Sequence, residues 1–257
     1  MDYQKINNHI VAWLSTYCEK AGLNGFVVGI SGGIDSAVTS LLCAQTGKKV
    51  FALSMPIRQT AAEYARATEH IEDLKKRFSN VESLEIDLTD TFTQLERTLP
   101  ADAASHHLVM ANSRARLRML TLYAIGQAHG LLVAGTGNKI EDFGVGFFTK
   151  YGDGGVDLSP IADLTKTQVF ELAGHLEVIQ SIRVAKPTDG LWEDGRSDED
   201  QIGASYPELE WAMDFSGDES TLSDREKEVL VIYRKLNRIN KHKMEPIPVC
   251  EIPAELR

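Results

Sequence analysis

The strongest constraint in this sequence is a glycine-rich turn that joins a short apolar segment directly to a helical one. Residues 26–30, FVVGI, are apolar and rich in β-branched side chains, and the following SGGIDSAVTSLLCAQTG has helical spacing up to Gly47. These patterns predict a buried strand, a tight turn over residues 31–36 and a helix. Adjacent glycines let a backbone approach an anion closely, and amide N–H groups point out of a helix start. The turn therefore indicates a phosphate-binding loop.

Apolar segments and helical segments continue to alternate along the chain. Residues 48–56, 81–88 and 131–137 have the pattern of further strands, while residues 61–78 and 107–129 have the spacing of helices. This alternation predicts a doubly wound, Rossmann-like α/β fold, in which right-handed crossovers connect a parallel sheet. Ligands of such folds bind beyond the carboxyl ends of the strands. The predicted binding edge therefore includes the glycine-rich turn and the segment after the fourth strand.

After the fourth strand the pattern changes to a glycine-rich loop and then to helices. Thr165 is a predicted helix N-cap, residues 222–241 have the pattern of a last helix, and residues 189–200 form a polar, acidic segment that suits a lid. We expect a single domain. Its parts are an α/β core at residues 22–180, and the lid with the C-terminal helices at residues 187–257 of the 257.

Composition excludes several classes of protein. The formal charge is -10 and the isoelectric point is near 5.2, unlike a general nucleic-acid binder, which needs a basic surface. The apolar run at residues 10–14 is too short for a signal peptide. The cysteines are three in number and lack C-x-x-C spacing, which argues against a disulfide framework and a zinc site. We expect a cytoplasmic protein that binds neither nucleic acid nor membrane.

Asp35 lies in the middle of the predicted phosphate loop. The loop lacks the Gly-Lys-Ser/Thr of a Walker A motif and the G-x-G-x-x-G of dinucleotide folds. A carboxylate here repels phosphate unless a divalent cation lies between them, so Asp35 is a predicted Mg²⁺ ligand. The alternative is a structural turn in which Asp35 caps the helix.

The predicted helix at residues 107–129 carries several arginines. Helical spacing places Arg116 on the same face as Leu120 and Tyr123, and an arginine on an apolar face needs a carboxylate or a phosphate as partner. Arg116 is therefore the arginine predicted to point inward. A solvated basic stripe is the alternative.

The segment after the fourth strand is rich in polar side chains between glycines. Thr136 can bind a phosphate or an adenine amine, and Glu141 can complete the metal shell begun in the phosphate loop. Lys150, Asp153 and Asp157 follow in a glycine-punctuated loop, where backbone approach to a ligand matters more than packing. An unusually polar surface loop is the alternative.

The motif S-G-G-x-D-S resembles the signature of the ATP pyrophosphatases, or PP-loop enzymes, which split ATP between its α and β phosphates and adenylate an acceptor. Segments in order across residues 29–246 also resemble the NAD synthetases, which amidate the nicotinic acid precursor of NAD. These segments are SGGIDSA, NSRARLRM, GTGNKIE, GFFTKYGDGGVDLSPIADLTK, KPTDGLW, DEDQIGASY and HKMEP.

This resemblance implies a set of ligand contacts and a homodimer with the dinucleotide at the subunit interface. Mg²⁺ would be held by Asp35 and Glu141. The residues implied to bind nicotinic acid adenine dinucleotide are Arg116, Lys150, Asp157, His242 and Lys243. The residues implied to bind ATP are Gly29, Ile30, Ser31, Gly32, Gly33, Ile34, Asp35, Ser36, Thr136, Lys166 and Thr188.

The chemistry of the implied reaction assigns catalytic roles. A carboxylate is a poor acyl donor to ammonia, so the nicotinate carboxylate must first attack the α-phosphorus of ATP. Pyrophosphate would leave on the cradle that includes Ser31, and Lys166 would neutralise phosphate charge. Asp153 is the predicted group that holds ammonium and removes its proton. Because the phosphate-loop strand begins near residue 25, we expect free ammonia as nitrogen source and no glutaminase domain.

Two other functions fit parts of the pattern. A PP-loop enzyme could instead amidate a guanine nucleotide or thiolate tRNA, but the loop at residues 150–157 argues against the first, and the lack of catalytic cysteine spacing and of a basic surface against the second. A nucleotide-binding module that never cleaves ATP is the other alternative. Paired Asp35 and Glu141 would have no purpose in such a module.

Overall fold

A computed structural model describes residues 1–188 and 197–257 of the chain. The strands are β1 (Gly25–Gly29), β2 (Lys49–Ser54), β3 (Val81–Glu85) and β4 (Leu131–Val133). The helices are α1 (Tyr3–Ala21), α2 (Ile34–Gln45), α3 (Ala61–Arg77), α4 (Thr89–Thr98), α5 (Ala101–Ala104), α6 (His107–His129), α7 (Lys166–His175), α8 (Gln180–Arg183), α9 (Asp198–Ile202), α10 (Tyr206–Asp214) and α11 (Asp224–Met244). A π-helix (Ile140–Val145) and 3-10 turns at Glu219–Thr221 and Ala254–Leu256 complete the described elements.

The described strands form one parallel sheet in the order β3-β2-β1-β4, which confirms the predicted doubly wound α/β fold. Val27 of β1 is paired with Phe51 of β2 on one side and with Val133 of β4 on the other. The chain runs outward from β1 to β3 and then returns to β4 beside β1. The strand order therefore reverses between β1 and β4, and ligands of such sheets bind at this switch point.

Successive residues of β1 pack into two different cores, as expected for a sheet covered on both faces. Phe26 and Val28 contact the core formed with α1, α2 and α7, whereas Val27 contacts the core that includes Phe51 and Phe92. Helix α6 lies against β1 and β4 on this second face. Burial on both faces explains why β1, β2 and β4 are mostly apolar, whereas the edge strand β3 mixes apolar and polar residues.

The strand β4 is shorter than its predicted range of 131–137. Beyond Val133, Ala134 forms a single bridge to Leu158, and the Gly135 amide donates to the Leu158 carbonyl at 2.8 Å. A Cβ on Gly135 would lie 2.9 Å from Val156, so only glycine allows this close approach. The chain therefore leaves the sheet early and directs the next residues over its carboxyl edge.

The C-terminal helices have a core of their own. Helices α10 and α11 pack against the π-helix through buried residues that include Leu209, Val229 and Ile140. The predicted N-cap Thr165 is confirmed, since its hydroxyl accepts from the Gln168 amide in a capping box. The predicted lid falls mainly on residues 189–196, which lie outside the described residues. No helix of the described ranges is long and apolar enough to span a bilayer.

We expect His70 to make the protein less stable below pH 6.5. The ring is fully buried between α2 and α3, its Nε2 lies 2.9 Å from Ser40 Oγ, and burial lowers its pKa to about 4. The unfolded chain, with a histidine pKa near 6.5, therefore binds a proton that the folded protein does not. This difference removes about 2 kcal/mol of stability between pH 8 and pH 5.

Urea unfolding of the wild type and of His70→Gln at these two pH values measures the effect. Glutamine keeps a polar partner for Ser40 but does not titrate, so the variant should lose less stability on acidification. An equal loss in both proteins would contradict the assignment to His70.

Candidate active site

A cavity of about 710 Å³ opens at the carboxyl edge of the sheet. Its walls come from the glycine-rich turn after β1, the first half of α6, the loop after the π-helix, the start of α7 and the end of α11. Every residue that the sequence analysis assigned to ATP, Mg²⁺ or the dinucleotide lines this cavity, with the exception of Asp157. Residues far apart in the chain are thus brought into one space.

The side chains of its own serines stabilise the glycine-rich turn through hydrogen bonds. The Gly33 amide donates to Ser31 Oγ at 3.1 Å, Ser36 Oγ donates to the Gly33 carbonyl at 2.9 Å, and the two hydroxyls lie 3.1 Å apart. Gly32 adopts a φ of +82°, a conformation that disfavours other residues. The start of α2 follows directly, so its free N–H groups face the cavity and can bind an anion.

A buried ammonium group lies between the two predicted metal ligands. Lys166 Nζ is 2.7 Å from Asp35 Oδ2 and 3.0 Å from Glu141 Oε1, and only 3% of the Lys166 side chain is exposed. Asp35 comes from the first turn of α2, Glu141 from the π-helix and Lys166 from the first residue of α7. The switch point between β1 and β4 brings these three elements together.

The charges of this cluster favour a cation. Burial alone lowers the pKa of the Lys166 ammonium, but Asp35 and Glu141 outweigh burial and raise that pKa above its ordinary value. The position between the two carboxylates is therefore occupied by positive charge at neutral pH. Among the described residues, no three His, Cys, Asp or Glu side chains are arranged to hold a metal by themselves. A divalent cation here would have two carboxylate ligands and complete its shell with phosphate oxygens and water.

Another wall of the cavity is basic and is formed by the loop after the π-helix, by α6 and by α11. Lys150 Nζ donates to the His242 carbonyl at 2.6 Å, and Lys243 Nζ donates to the Phe148 carbonyl at 2.7 Å. Arg116 Nε donates to the Lys150 carbonyl at 3.3 Å. These contacts gather Arg116, Lys150, His242 and Lys243, four of the five residues predicted to bind the dinucleotide, on one wall of the cavity.

Asp153 also lines the cavity. One carboxylate oxygen accepts from the Thr149 amide at 2.9 Å, and Thr149 Oγ1 donates to Asn112 on α6 at 2.7 Å. Desolvation of the carboxylate raises the pKa of Asp153, and the negative charge of Glu141 raises it further. A carboxylate held in this way can accept a proton, which fits the predicted role.

The prediction that Arg116 points inward is wrong as to burial, since Arg116 is exposed and Arg118 is the more enclosed arginine. Small residues, Ala111, Ala115 and Gly126, mark the face of α6 that packs on the sheet, and Arg118 shares that face. Arg118 Nε donates to the Met55 carbonyl at 3.1 Å, and burial lowers the pKa of Arg118 to about 10. The large apolar Leu120 that guided the prediction is 61% exposed.

Asp157 lies outside the cavity. Its carboxylate accepts from Tyr123 Oη at 3.0 Å and from the Val133 amide at 2.8 Å, so it joins the end of β4 to α6. Its contact with a dinucleotide stays a prediction. Thr136 and Thr188, predicted to contact ATP, both line the cavity.

Sequence reasoning missed two side chains that organise the site. Asn138 is fully buried, donates to Asp35 at 3.3 Å and accepts from the amides of Ile140 and Glu141. Tyr206, at the start of α10, donates from its hydroxyl to Glu141 at 2.6 Å. The position of Asn138, between the end of β4 and Glu141, could have indicated a role in the site. No such local pattern marks Tyr206, which lies 65 residues after Glu141.

Comparison with known proteins gives a consistent family match. The family model described as NAD synthase matches residues 6–246. The NH(3)-dependent NAD(+) synthetase of Mycoplasma genitalium is 37% identical to this chain over 225 residues, which cover 87% of each protein. The match therefore includes both the α/β core and the C-terminal helices.

Two solved structures share the whole architecture. An NMN synthetase from Francisella tularensis has a TM-score of 0.86 and 32% identity, with 99% of each chain covered. An NH3-dependent NAD synthetase from Campylobacter jejuni, in complex with nitrate, has a TM-score of 0.79 and 25% identity, covering 98% of this chain and 100% of the other. The fold and the relative placement of its elements are thus those of solved members of this group.

Proposed function

Because the chain belongs to the NAD synthase family, we propose that it uses ATP and ammonia to amidate nicotinic acid adenine dinucleotide, as the last step of NAD synthesis. The observation that carries the proposal is that the glycine-rich turn and Lys166 line the same cavity as Lys150 and Lys243. One wall suits the phosphates of ATP and the other suits a second nucleotide. The enzyme is then an AMP-forming carbon–nitrogen ligase.

The reaction proceeds in two displacements. A carboxylate oxygen of the nicotinate attacks the α-phosphorus of ATP, the bond to the β-phosphate bridging oxygen breaks, and pyrophosphate leaves. Ammonia then attacks the carbonyl carbon of the acyl-adenylate, gives up a proton, and the carbon–oxygen bond to AMP breaks. Products are NAD, AMP and pyrophosphate. Stabilising the phosphate charge and excluding water are the main tasks of the site.

The glycine-rich turn holds the leaving pyrophosphate in this scheme. Its backbone N–H groups and the hydroxyls of Ser31 and Ser36 supply donors at the start of α2. The Lys166 ammonium, which contacts both carboxylates, supplies a full positive charge, whereas a helix N-terminus supplies only about half of one. Lys166 thus contributes more to phosphate charge stabilisation than the helix dipole does.

Asp35 and Glu141 are the residues that would hold Mg²⁺. They fit the ion because both are oxygen donors and the position between them already holds a positive charge. When bound, Mg²⁺ supplies charge neutralisation and orientation of the phosphate oxygens. Asn138 keeps the two ligands in place, since it contacts the Asp35 side chain and the Glu141 backbone.

Replacing Asp153 with asparagine should lower turnover about 10²- to 10³-fold at saturating ammonia, because the amide cannot accept the proton of ammonium. Binding of ATP and of the dinucleotide should stay within about threefold. Asparagine keeps an oxygen that can accept from the Thr149 amide, so the loop should keep its shape. Steady-state kinetics with each substrate varied measures both effects. Full turnover with normal substrate binding would exclude Asp153 as the proton acceptor.

We also propose a cytoplasmic homodimer as the working form. The exposed side of α6 carries Leu108 and Leu120, which are 52% and 61% exposed, next to the exposed Arg116 at the cavity. Apolar side chains in such positions suit contact with a second subunit. Sedimentation velocity of the wild type and of Leu120→Glu tests the dimer, since a charge on a buried interface would dissociate it.

A second candidate acceptor is nicotinic acid mononucleotide. Its support is the similarity to the Francisella tularensis NMN synthetase, which covers both chains almost completely. The chemistry is the same in both cases, since only the group attached to the nicotinate-bearing nucleotide differs. The ratio of kcat/KM for the two acceptors decides between them.

One assay tests the proposed function. Pyrophosphate release is measured with ATP and each candidate acceptor, with and without ammonia, while amide formation is followed by mass spectrometry. Ammonia-dependent AMP and amide in equal amounts would support the proposal. Pyrophosphate release without a nicotinate-bearing acceptor would contradict the proposal, and so would the absence of any pyrophosphate release.

A further inference from the structure

Tyr206 reaches the cation site from the C-terminal helices. Its hydroxyl donates to Glu141 Oε1 at 2.6 Å and lies 3.3 Å from Asp198 Oδ2, while the Lys166 ammonium lies 4.7 Å from its ring centre. The residue is 3% exposed. None of these contacts involves the phosphate-binding turn. Tyr206 contacts the side chains that surround the cation position and not the turn that binds phosphate.

The position of Tyr206 is fixed from several sides. Its amide donates to Glu199 Oε1 at 2.9 Å, and Ser205 forms a capping box with Glu208 at the start of α10. Arg225 of α11 donates to both oxygens of Glu208, at 2.7 and 2.9 Å. The hydroxyl of Tyr206 is therefore presented by a rigid helix start, and a rigid donor holds a carboxylate in one orientation.

Glu141 needs this donor most when a cation is bound. Glu141 Oε1 accepts hydrogen bonds from both Lys166 and Tyr206. A divalent cation and the Lys166 ammonium cannot share the position between Asp35 and Glu141, because like charges at that distance repel. Once the cation replaces the ammonium, Glu141 Oε1 loses its contact with Lys166 and keeps its hydrogen bond from Tyr206.

We propose that Tyr206 is a positioning residue that holds Glu141 in the orientation required to bind the divalent cation of the nucleotide. The proposal rests on the proposed function, which supplies the nucleotide and its cation. It gives the C-terminal helices an indirect part in cation binding at the edge of the α/β core. Tyr206 itself acts only through Glu141.

The test is the cation affinity of Tyr206→Phe. Binding of Mn²⁺, which stands in for Mg²⁺, is measured by electron paramagnetic resonance with α,β-methylene-ATP present, so that no turnover is needed. Loss of one hydrogen bond to a charged group should raise the dissociation constant of Mn²⁺ about tenfold. In assays the Mg²⁺ concentration for half-maximal rate should rise in parallel, and kcat should recover at high Mg²⁺. A merely structural role would not be rescued by Mg²⁺.

Two comparisons isolate the effect. Tyr3→Phe removes another tyrosine–glutamate hydrogen bond, to Glu171 at 2.5 Å, which lies away from the cavity, and should leave Mn²⁺ affinity unchanged. In a Glu141→Gln background, Tyr206→Phe should have little further effect on Mn²⁺ affinity, since its target is already altered. A folded Tyr206→Phe protein that binds Mn²⁺ within twofold of the wild type would overturn the proposal.

Failure of this inference is distinguishable from failure of the proposed function. A chain that binds Mn²⁺ as expected but forms no amide would contradict the proposed function alone. Should Tyr206→Phe fail to fold, the full-length chain with 3-fluorotyrosine at position 206 provides the readout. Mg²⁺ is added to the complex with α,β-methylene-ATP, and the fluorine resonance should shift with the half-saturation of Mg²⁺ binding. An unchanged resonance would overturn the proposal.

Discussion

Replacing Lys166 with methionine is expected to lower kcat/KM about 10³-fold and to destabilise the ligand-free protein by about 3–5 kcal/mol. Methionine has a similar length but no charge, so Asp35 and Glu141 would face each other without the ammonium that now lies 2.7 and 3.0 Å from them. A buried carboxylate that loses its partner is costly. Catalysis falls for a separate reason, because the positive charge near the phosphates is lost.

Urea unfolding and steady-state kinetics measure these two effects. Lys139→Met is the matched control, since Lys139 forms an exposed ion pair with Asp163 at 3.2 Å and exposed pairs contribute at most about 1 kcal/mol. Added Mg²⁺ should restore part of the stability of Lys166→Met and none of that of the control. A Lys166→Met protein as stable and active as the control would contradict the charge balance described for this cluster.

Replacing Gly32 with alanine is expected to raise the KM for ATP about 100-fold. Gly32 has a φ of +82°, and a Cβ there would lie 2.6 Å from the Glu63 carbonyl oxygen of α3. The contact is with backbone, so the turn itself must move away from α3. Its amide N–H groups would then point away from the phosphate position. A misplacement of about 1 Å at a binding site can lower the efficiency of an enzyme about 100-fold.

Gly47→Ala is the control for the glycine conformation alone. Gly47 also has a positive φ, +71°, but a Cβ there would meet no atom within 4 Å. Its replacement should cost about 1 kcal/mol of stability and leave the KM for ATP unchanged. ATP affinity and thermal unfolding of both variants separate the two causes. Normal ATP affinity in a folded Gly32→Ala protein would show that contact with α3 does not position the turn.

Much of the α/β core could be predicted from the sequence because its signals are local. Apolar β-branched runs, helical spacing and the N-cap at Thr165 depend on neighbouring residues, and each led to the observed element. The end of β4 was predicted too late, since the strand stops before Gly135, whose amide donates to the Leu158 carbonyl and not to a neighbouring strand. That contact joins residues distant in sequence and leaves no local pattern.

The orientation of α6 shows a second limit. A pattern of large apolar side chains predicted the wrong buried face, because the helix approaches the sheet through small residues. A Cβ on Gly126 would lie 3.1 Å from the Leu131 carbonyl oxygen and 3.2 Å from Val27, which shows how closely the helix packs. Only the neighbouring strands decide that such a face is the buried one.

The sequence by itself determined the chemistry offered at the edge of the sheet. A strand followed by S-G-G-x-D-S specifies a backbone anion site with a carboxylate in it, since adjacent residues form both. Tertiary structure alone decided that Lys166 lies between Asp35 and Glu141 and that Tyr206 supports Glu141. These contacts join residues 25 to 131 positions apart, and they form only because the strand order reverses between β1 and β4 and the C-terminal helices pack beside that point.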